Sequence, residues 1–298
     1  MKRRLKQGAA DARDLALHHL LKLLPTQACS DLGSWMAPLM NPKAYPLLDS
    51  RGRSALARIR PDLSLDAAMR RLWQNIGRVS AEYSVLGRMA REGRIEEAEP
   101  GRLRALLDDP RPAIFCFLHI GNWDVAHMAI ALAAPGRMIA LAMPSPSRAQ
   151  SAIIEGARSR LPSQVLWMSP KVWRAVLERL KTPGGLAYIA GDEPGPVTVA
   201  TPFFGRRPTT EGNLGKMVRL AAATGARIVP IFAERLPGVR FRLTLLQAVE
   251  VAGGDDERGV LAEVVRINAL IEPVVRSRAD QWLVAIGFGR DVKELRAR

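Results

Sequence analysis

The stretch Ala113-Ile-Phe-Cys-Phe-Leu-His119-Ile-Gly-Asn-Trp-Asp124 passes from an unbroken apolar run to an imidazole, a glycine and a carboxylate. A run of this length, rich in aromatic side chains, suits a short strand buried on both faces of a parallel sheet. His119 then emerges at the strand's C-terminal end, Gly121 permits a sharp turn, and Asn122 is a good helix N-cap. Residues 125–134 read as a buried helix, which puts Asp124 in a first turn whose dipole favours the ionised carboxylate. Histidine titrates where a general base must, and a nearby carboxylate can fix its tautomer and stabilise the imidazolium. A hydroxyl is a poor attacker at neutral pH until its proton is removed, so His119 with Asp124 as orienting partner suits hydroxyl-to-acyl chemistry. The H-x4-D spacing alone is a weak pattern, and a solvated loop histidine beside a first-turn aspartate carries the same signature.

Outward from this segment the chain alternates short apolar runs with helical ones. Strands are expected near 113–118, 138–142, 164–167, 185–190 and 227–233, with helices near 123–134, 148–160, 170–181 and 211–224 between them. One more strand is expected at 241–249 and a closing helix at 257–277. Such alternation predicts an α/β fold whose mixed, largely parallel central sheet is flanked by helices. Ahead of it, residues 12–24 form a leucine-rich amphipathic helix with a cationic flank, stopped by Pro25. It suits either a membrane surface or packing on its own domain. The segment 32–40, with Trp35, Met36, Leu39 and Met40, extends that apolar surface, and 64–92 reads as a long core-facing helix. With no repeat or linker in view, the simplest organisation is one domain over 1–298: a helical N-terminal extension (1–100) and an α/β catalytic core (101–298).

The charge balance narrows the partners. Lys+Arg number 44 against 29 Asp+Glu, a formal net charge of +15 carried mostly by arginine, so the chain is matched to something acidic. Nucleic acid is the least supported choice, because the basic residues are scattered, aromatic residues are only 5%, and no RNA-binding motif or zinc spacing is present. Anionic lipid headgroups and an acidic carrier protein remain. Cys29 and Cys116 read as reduced core residues rather than a disulfide or metal pair. No segment reaches the roughly 18–20 apolar residues of a membrane span, and charges after Met1-Lys-Arg-Arg argue against a cleaved signal peptide.

A second constellation follows the expected strand at 185–190. The loop Gly191-Asp192-Glu193-Pro194-Gly195 leaves a strand's carboxyl end, where ligands collect in open α/β sheets. Beyond it lies Thr201-Pro-Phe-Phe-Gly-Arg-Arg-Pro-Thr-Thr210. Phe203 and Phe204 offer flat apolar walls, Gly205 a turn, and Arg206 and Arg207 cations, a set that suits an amphiphile with a hydrocarbon tail and anionic groups. A hairpin tip packed on the core has the same composition.

Together these blocks resemble the late acyltransferases of lipid A biosynthesis, the lauroyl and myristoyl transferases of lipopolysaccharide biosynthesis, and the related phosphatidylinositol mannoside acyltransferase. The resemblance rests on Leu23-Leu24-Pro25, His119-Ile-Gly-Asn-Trp-Asp124, Gly191-Asp192, Pro202-Phe-Phe-Gly205 with Pro208-Thr-Thr210, Ala223-Thr-Gly-Ala-Arg-Ile-Val-Pro230, Asn268-Ala-Leu-Ile-Glu272 and Asp280-Gln-Trp282, and so covers most of the chain. It implies a glycerolipid acyltransferase-like fold and a peripheral enzyme at the cytoplasmic face of the inner membrane. The implied reaction moves a fatty acyl group from acyl carrier protein, or coenzyme A, to a hydroxyl of a glycolipid such as a lipid A precursor. It needs no cofactor and no metal, the acyl thioester being a co-substrate.

By the same resemblance His119 is the catalytic base, Asp124 its acidic partner, and the Pro202–Gly205 block a lining of the acceptor and acyl site. Asn122, Arg148 and Asp192 are candidate substrate contacts, and Arg158, Arg160, Arg206 and Arg207 are candidates for gripping acceptor phosphates. A backbone N–H near Gly121, or Arg148, is the candidate oxyanion donor. The chain departs from the family after Trp282, where Leu283-Val-Ala-Ile replaces an aromatic and a His-Arg-Arg cluster, and around Met143-Pro-Ser-Pro-Ser-Arg148. These departures bear on the acceptor, so a different lipid, an amine acceptor, or a non-catalytic lipid-binding role on the same scaffold are the alternatives.

Overall fold

In the computed structural model, which describes residues 2–145, 147–192, 200–254 and 256–288, the chain opens with helices α1 (Lys2–Leu23), α2 (Thr26–Ala44), α3 (Pro46–Ile59), α4 (Leu65–Glu82) and the short α5 (Leu86–Arg91). Pro25 ends α1, and Pro46 starts α3 at a position where its missing N–H costs nothing. In α4 the buried Ala68, Met69, Leu72, Trp73 and Val79 recur at helical spacing and face the core. Gly33 of α2 and Gly77 of α4 let the two backbones touch: a Cβ built on Gly33 would stand 2.3 Å from the Gly77 carbonyl oxygen.

The remaining elements are β1 (Ile95–Glu97), α6 (Arg102–Asp108), β2 (Ala113–Gly121), α7 (Trp123–Ala133), β3 (Met138–Ala142), α8 (Arg148–Arg158), β4 (Gln164–Trp167), α9 (Val172–Leu180), β5 (Leu186–Ala190), α10 (Asn213–Thr224), β6 (Arg227–Leu236), β7 (Arg240–Leu245), α11 (Glu257–Ser277) and α12 (Ala285–Phe288). Among the described residues the strands form one seven-stranded sheet in the order β1-β7-β6-β2-β5-β3-β4. Every neighbouring pair is parallel except β6 and β7. This is the α/β architecture, with a mixed, mostly parallel sheet between helices, that the alternating pattern predicts.

β2 lies inside the sheet between β5 and β6, and its side chains alternate between two apolar layers. Ile114, Cys116, Leu118 and Ile120 pack with Val176 of α9, Leu214 and Val218 of α10, and Val264 of α11. Ala113, Phe115 and Phe117 pack with Leu103 and Leu107 of α6 and Val125 and Met128 of α7. His119 continues the second set at the strand's end, so the parity of one strand aims it at α7.

Several expectations are adjusted. The long helix expected over 64–92 is broken at residues 83–85, where tight i→i+3 turns form from Ser84 to Ala81 and from Val85 to Glu82. The break turns the chain so that Tyr83 reaches Asp124 while Val85 and Leu86 stay buried. The helix expected at 12–24 begins at Lys2, and α3, α6 and β1 form where the sequence carries no strong apolar period. β1 sets a polar Ile-Glu-Glu segment beside β7, which brings residues 95–97 into the sheet. Both cysteines are free and buried. Burial, and then the neighbouring Glu82, pushes the Cys29 thiol up to about 12, which keeps it protonated and unreactive at neutral pH.

Candidate active site

The imidazole of His119 meets a carboxylate, and that carboxylate is Asp192. His119 Nδ1 lies 2.7 Å from Asp192 Oδ1, and the His119 backbone N–H donates to Oδ2 at 2.8 Å. The indole Nε1 of Trp282 donates to the same Oδ2 at 2.7 Å. Asp192 is fully buried just past the end of β5, the strand beside β2, so parallel pairing carries the two side chains to one edge of the sheet. With three donors converging on it, the carboxylate has no room to turn. It accepts the Nδ1–H hydrogen bond, which keeps the proton on Nδ1 and leaves the Nε2 lone pair outward. No hydrogen-bond partner meets Nε2 among the described residues. The His119 side chain keeps 18% of its surface exposed, which leaves it reachable by a substrate. Phe117 and Trp123 flank the ring edge-on, with centroids 5.1 and 4.8 Å away, and hold its plane.

Asp124, expected to orient His119, does something else. Its carboxylate accepts from Arg158 Nε at 2.6 Å and Nη2 at 2.9 Å and from the Tyr83 hydroxyl at 2.7 Å. His127 Nδ1 stands 3.8 Å away. The reason lies in α7: Asn122 caps the helix by accepting the Asp124 N–H, and the first turn then faces α4 and α8 rather than the end of β2. Burial pushes the Asp124 carboxyl up, but the Arg158 charge and the hydrogen bonds outweigh it and hold the group well below the usual carboxylate range. Asp124→Asn leaves the Arg158 guanidinium buried and unpaired, so we expect a stability loss of about 3–5 kcal/mol, read as a lower midpoint in urea unfolding. Because the folded pKa lies below the unfolded value of about 3.9, this stabilisation is complete above that pH and is lost as the pH falls through the folded pKa.

The other expected contacts divide in the same way. Asn122 is buried, its oxygen engaged by the Asp124 N–H and its amide donating to Glu82 Oε2 at 2.8 Å, so it shapes the turn and does not face a substrate. Glu82 in turn is held by both arms of Arg235. Gly121 has φ 63°, and a Cβ there would meet the Ala233 carbonyl oxygen at 2.1 Å, so only glycine permits this close approach. Arg158 is spent on Asp124 and is not available to a phosphate. Arg148 and Arg207 are exposed, and Arg148 opens α8.

Phe203 and Phe204 are buried rather than forming open walls. Their backbone N–H groups donate to Asn268 and Glu272 of α11, and the Phe204 ring meets Trp282 edge-on at 5.8 Å. Phe204 itself adopts φ 47°, followed by Gly205 at 79°. Arg206 donates back to the carbonyls of Phe203 and Pro202. The block therefore acts on the site at one remove, by packing Trp282, which fixes Asp192. Glu193, Pro194 and Gly195 of the adjoining loop lie outside the described residues, as does Pro146 of the 143–148 segment. Of the segment that departs from the family after Trp282, Leu283 donates its N–H to the His119 carbonyl, while Gly289 and Arg290 lie outside the described residues.

Beside His119 runs an apolar groove of about 690 Å³, within the range of about 300–1,000 Å³ typical of ligand clefts. Trp123 and Leu283, both in contact with His119, line it together with Leu21 of α1, Met36 of α2, Ile76 of α4 and Ile153 of α8. The N-terminal helices thus wall a hydrocarbon-sized cleft that reaches Trp123 and Leu283 beside His119. Tyr83, Trp282 and the Glu82–Arg235 pair complete the site's frame, and local sequence carries no signal of their partners, which lie 41, 90 and 153 residues away.

A protein-family model described as bacterial lipid A biosynthesis acyltransferase matches residues 12–285. No curated protein matches the chain.

Proposed function

The chain belongs to the bacterial lipid A biosynthesis acyltransferase family, and from that premise we propose that it moves a fatty acyl group from an acyl thioester to a hydroxyl of a glycolipid. The observation that carries this reading is the single free nitrogen of His119, fixed by Asp192 on a ring whose neighbours Trp123 and Leu283 line an apolar groove. In the proposed step Nε2 takes the proton of the acceptor hydroxyl as its oxygen attacks the thioester carbon. The tetrahedral intermediate then expels the thiolate, which takes the proton back from the imidazolium, giving an ester and a thiol. Asp192 steadies the transient imidazolium without itself taking the proton. The acyl chain lies in the groove, away from water.

The donor we favour is acyl carrier protein, with coenzyme A as the alternative. An acidic carrier is drawn to a chain of net charge +15, and the same excess suits an acceptor that bears phosphates. We place the enzyme peripherally at the cytoplasmic face of the inner membrane. No helix among the described residues is long and apolar enough to cross a bilayer. The helices that wall the groove nonetheless expose Leu20, Leu23, Trp35, Leu39 and Leu47, with Lys22 and Lys43 among them. Apolar side chains interleaved with cations suit insertion into an anionic interface, and flotation with anionic vesicles checks it. The acceptor is tested by comparing the lipids of a strain lacking this gene with its parent. The reading expects a glycolipid lighter by one acyl chain in the deletion strain, restored by the wild-type gene and not by the His119→Ala gene; identical glycolipid profiles would refute it.

A further inference from the structure

The segment from Trp282 to Ile286 faces two ways. On one side it holds the catalytic pair: the Trp282 indole donates to Asp192 Oδ2 at 2.7 Å, and the Leu283 N–H donates to the His119 carbonyl at 2.9 Å. Trp282 also bridges Ile120, the residue after His119, in antiparallel fashion. Asp192 and His119 are thus gripped by two consecutive residues. On the other side, the side chains of Leu283 and Ile286 line the apolar groove. The segment between is stiff. Ala285 donates its N–H to the Trp282 carbonyl and Phe288 to the Val284 carbonyl, Trp282 is fully buried, and Ile286 rests on α3, where a Cβ built on Gly52 would stand 3.3 Å from its Cγ2. The opposite wall differs. Ile153 of α8 lines the same groove, but among the described residues no hydrogen bond joins α8 to His119 or Asp192.

We infer that Leu283 is a positioning residue through which the acyl chain sets the geometry of the catalytic pair. A chain that fills the groove packs on Leu283 and Ile286 and holds the Trp282–Leu283 segment, and with it His119 and Asp192, in register. Chain length is then selected in kcat as well as in binding. Contact made far from the reacting atoms raises kcat only where it is used to orient the reacting centre, and here a main-chain hydrogen bond one residue from the buried indole supplies the link. The inference rests on the acyltransferase reading above and adds how that site recognises its donor.

Steady-state kinetics with butyryl- and dodecanoyl-acyl carrier protein at saturating lipid A precursor test it. In the wild type kcat is expected to rise about tenfold from the short donor to the long one, well inside the roughly 10²-fold that an ångström of misplacement costs. Leu283→Ala keeps the main-chain bond but loses the contact, so its two kcat values are expected to agree within about twofold. Leu283→Met, which conserves volume and apolar surface, should restore the rise. Ile153→Ala removes groove wall on the unlinked side and should raise KM for the long donor while keeping the rise in kcat. A wild-type kcat indifferent to chain length, a rise that survives in Leu283→Ala, a methionine variant as deficient as the alanine one, or the same loss in Ile153→Ala overturns the inference. A binding readout separates it from the reaction itself. Dodecyl-coenzyme A thioether has no carbonyl to attack. At saturation it is expected to shift the nitrogen NMR signals of the His119 ring, identified by their loss in His119→Ala protein, in the wild type and not in Leu283→Ala. A shift without any acyl transfer faults only the proposed reaction, and transfer with unshifted His119 signals faults only this coupling.

Discussion

His119→Ala is expected to lower kcat for acyl transfer by about a thousandfold, inside the roughly 10²–10⁴ range of a positioned general base. The KM for the acyl donor should change little, because the groove is walled by Leu21, Met36, Ile76 and Ile153, none of which the substitution touches. The fold should also survive. Asp192 keeps two of its three donors, the backbone N–H of residue 119 and the Trp282 indole, so no buried carboxylate is stranded. A kcat collapse with unchanged KM and unchanged melting temperature is the signature; a variant as active as the wild type would remove His119 from the reaction.

Asp192→Asn is expected to cost as much as the loss of the histidine itself, by a different route. Both the backbone and indole donors point at Oδ2, so the amide oxygen of asparagine settles there and its NH2 takes the place of Oδ1. That NH2 faces Nδ1 and can only donate, so Nδ1 becomes the acceptor and the proton moves to Nε2. The ring is then in the wrong tautomer for a base. The equivalent change in serine-protease triads lowers kcat by about 10⁴ with geometry intact, and a fall of about 10³–10⁴ is expected here. Steady-state kinetics beside Asp124→Asn separates the two aspartates. The Asp192 change removes turnover and spares the fold, whereas the Asp124 change lowers stability and, once folded, retains most of the turnover. The reverse pattern would return the orienting role to Asp124.

Much of this was legible in sequence, and the omissions have physical reasons. The apolar run 113–118, the turn at Gly121 and the cap at Asn122 are local features, and each is where the sequence places it. His119 at a strand's carboxyl end follows from the same run. What spacing cannot reveal is which side chain an imidazole meets when both candidates lie in suitable places. Asp124 is five residues away along the chain, but the cap rotates it toward Arg158, whereas Asp192 is 73 residues away and parallel pairing of β2 with β5 brings it within 2.7 Å. Arg158 reads in sequence as a candidate phosphate ligand because a guanidinium fork grips phosphate in bidentate fashion; its buried partner shows only in three dimensions. Phe203 and Phe204 leave two readings open in sequence, open walls or core packing; both are buried, and Phe204 packs on Trp282 and Phe288. α3 and β1 leave little trace in the sequence for a simpler reason, since one is a weakly amphipathic helix and the other a three-residue polar strand.

The claim on which the rest depends is that an imidazole held by Asp192 activates a hydroxyl directly against an acyl thioester. Purified wild-type protein mixed with radiolabelled acyl–acyl carrier protein and a lipid A precursor, quenched over time and resolved by mass spectrometry, tests it. The account predicts one thioester lost for each hydroxyl ester gained on the acceptor, with no label covalently bound to the protein. Label held by the protein while the thioester remains whole would make this a lipid-binding protein on an acyltransferase scaffold and would contradict the account.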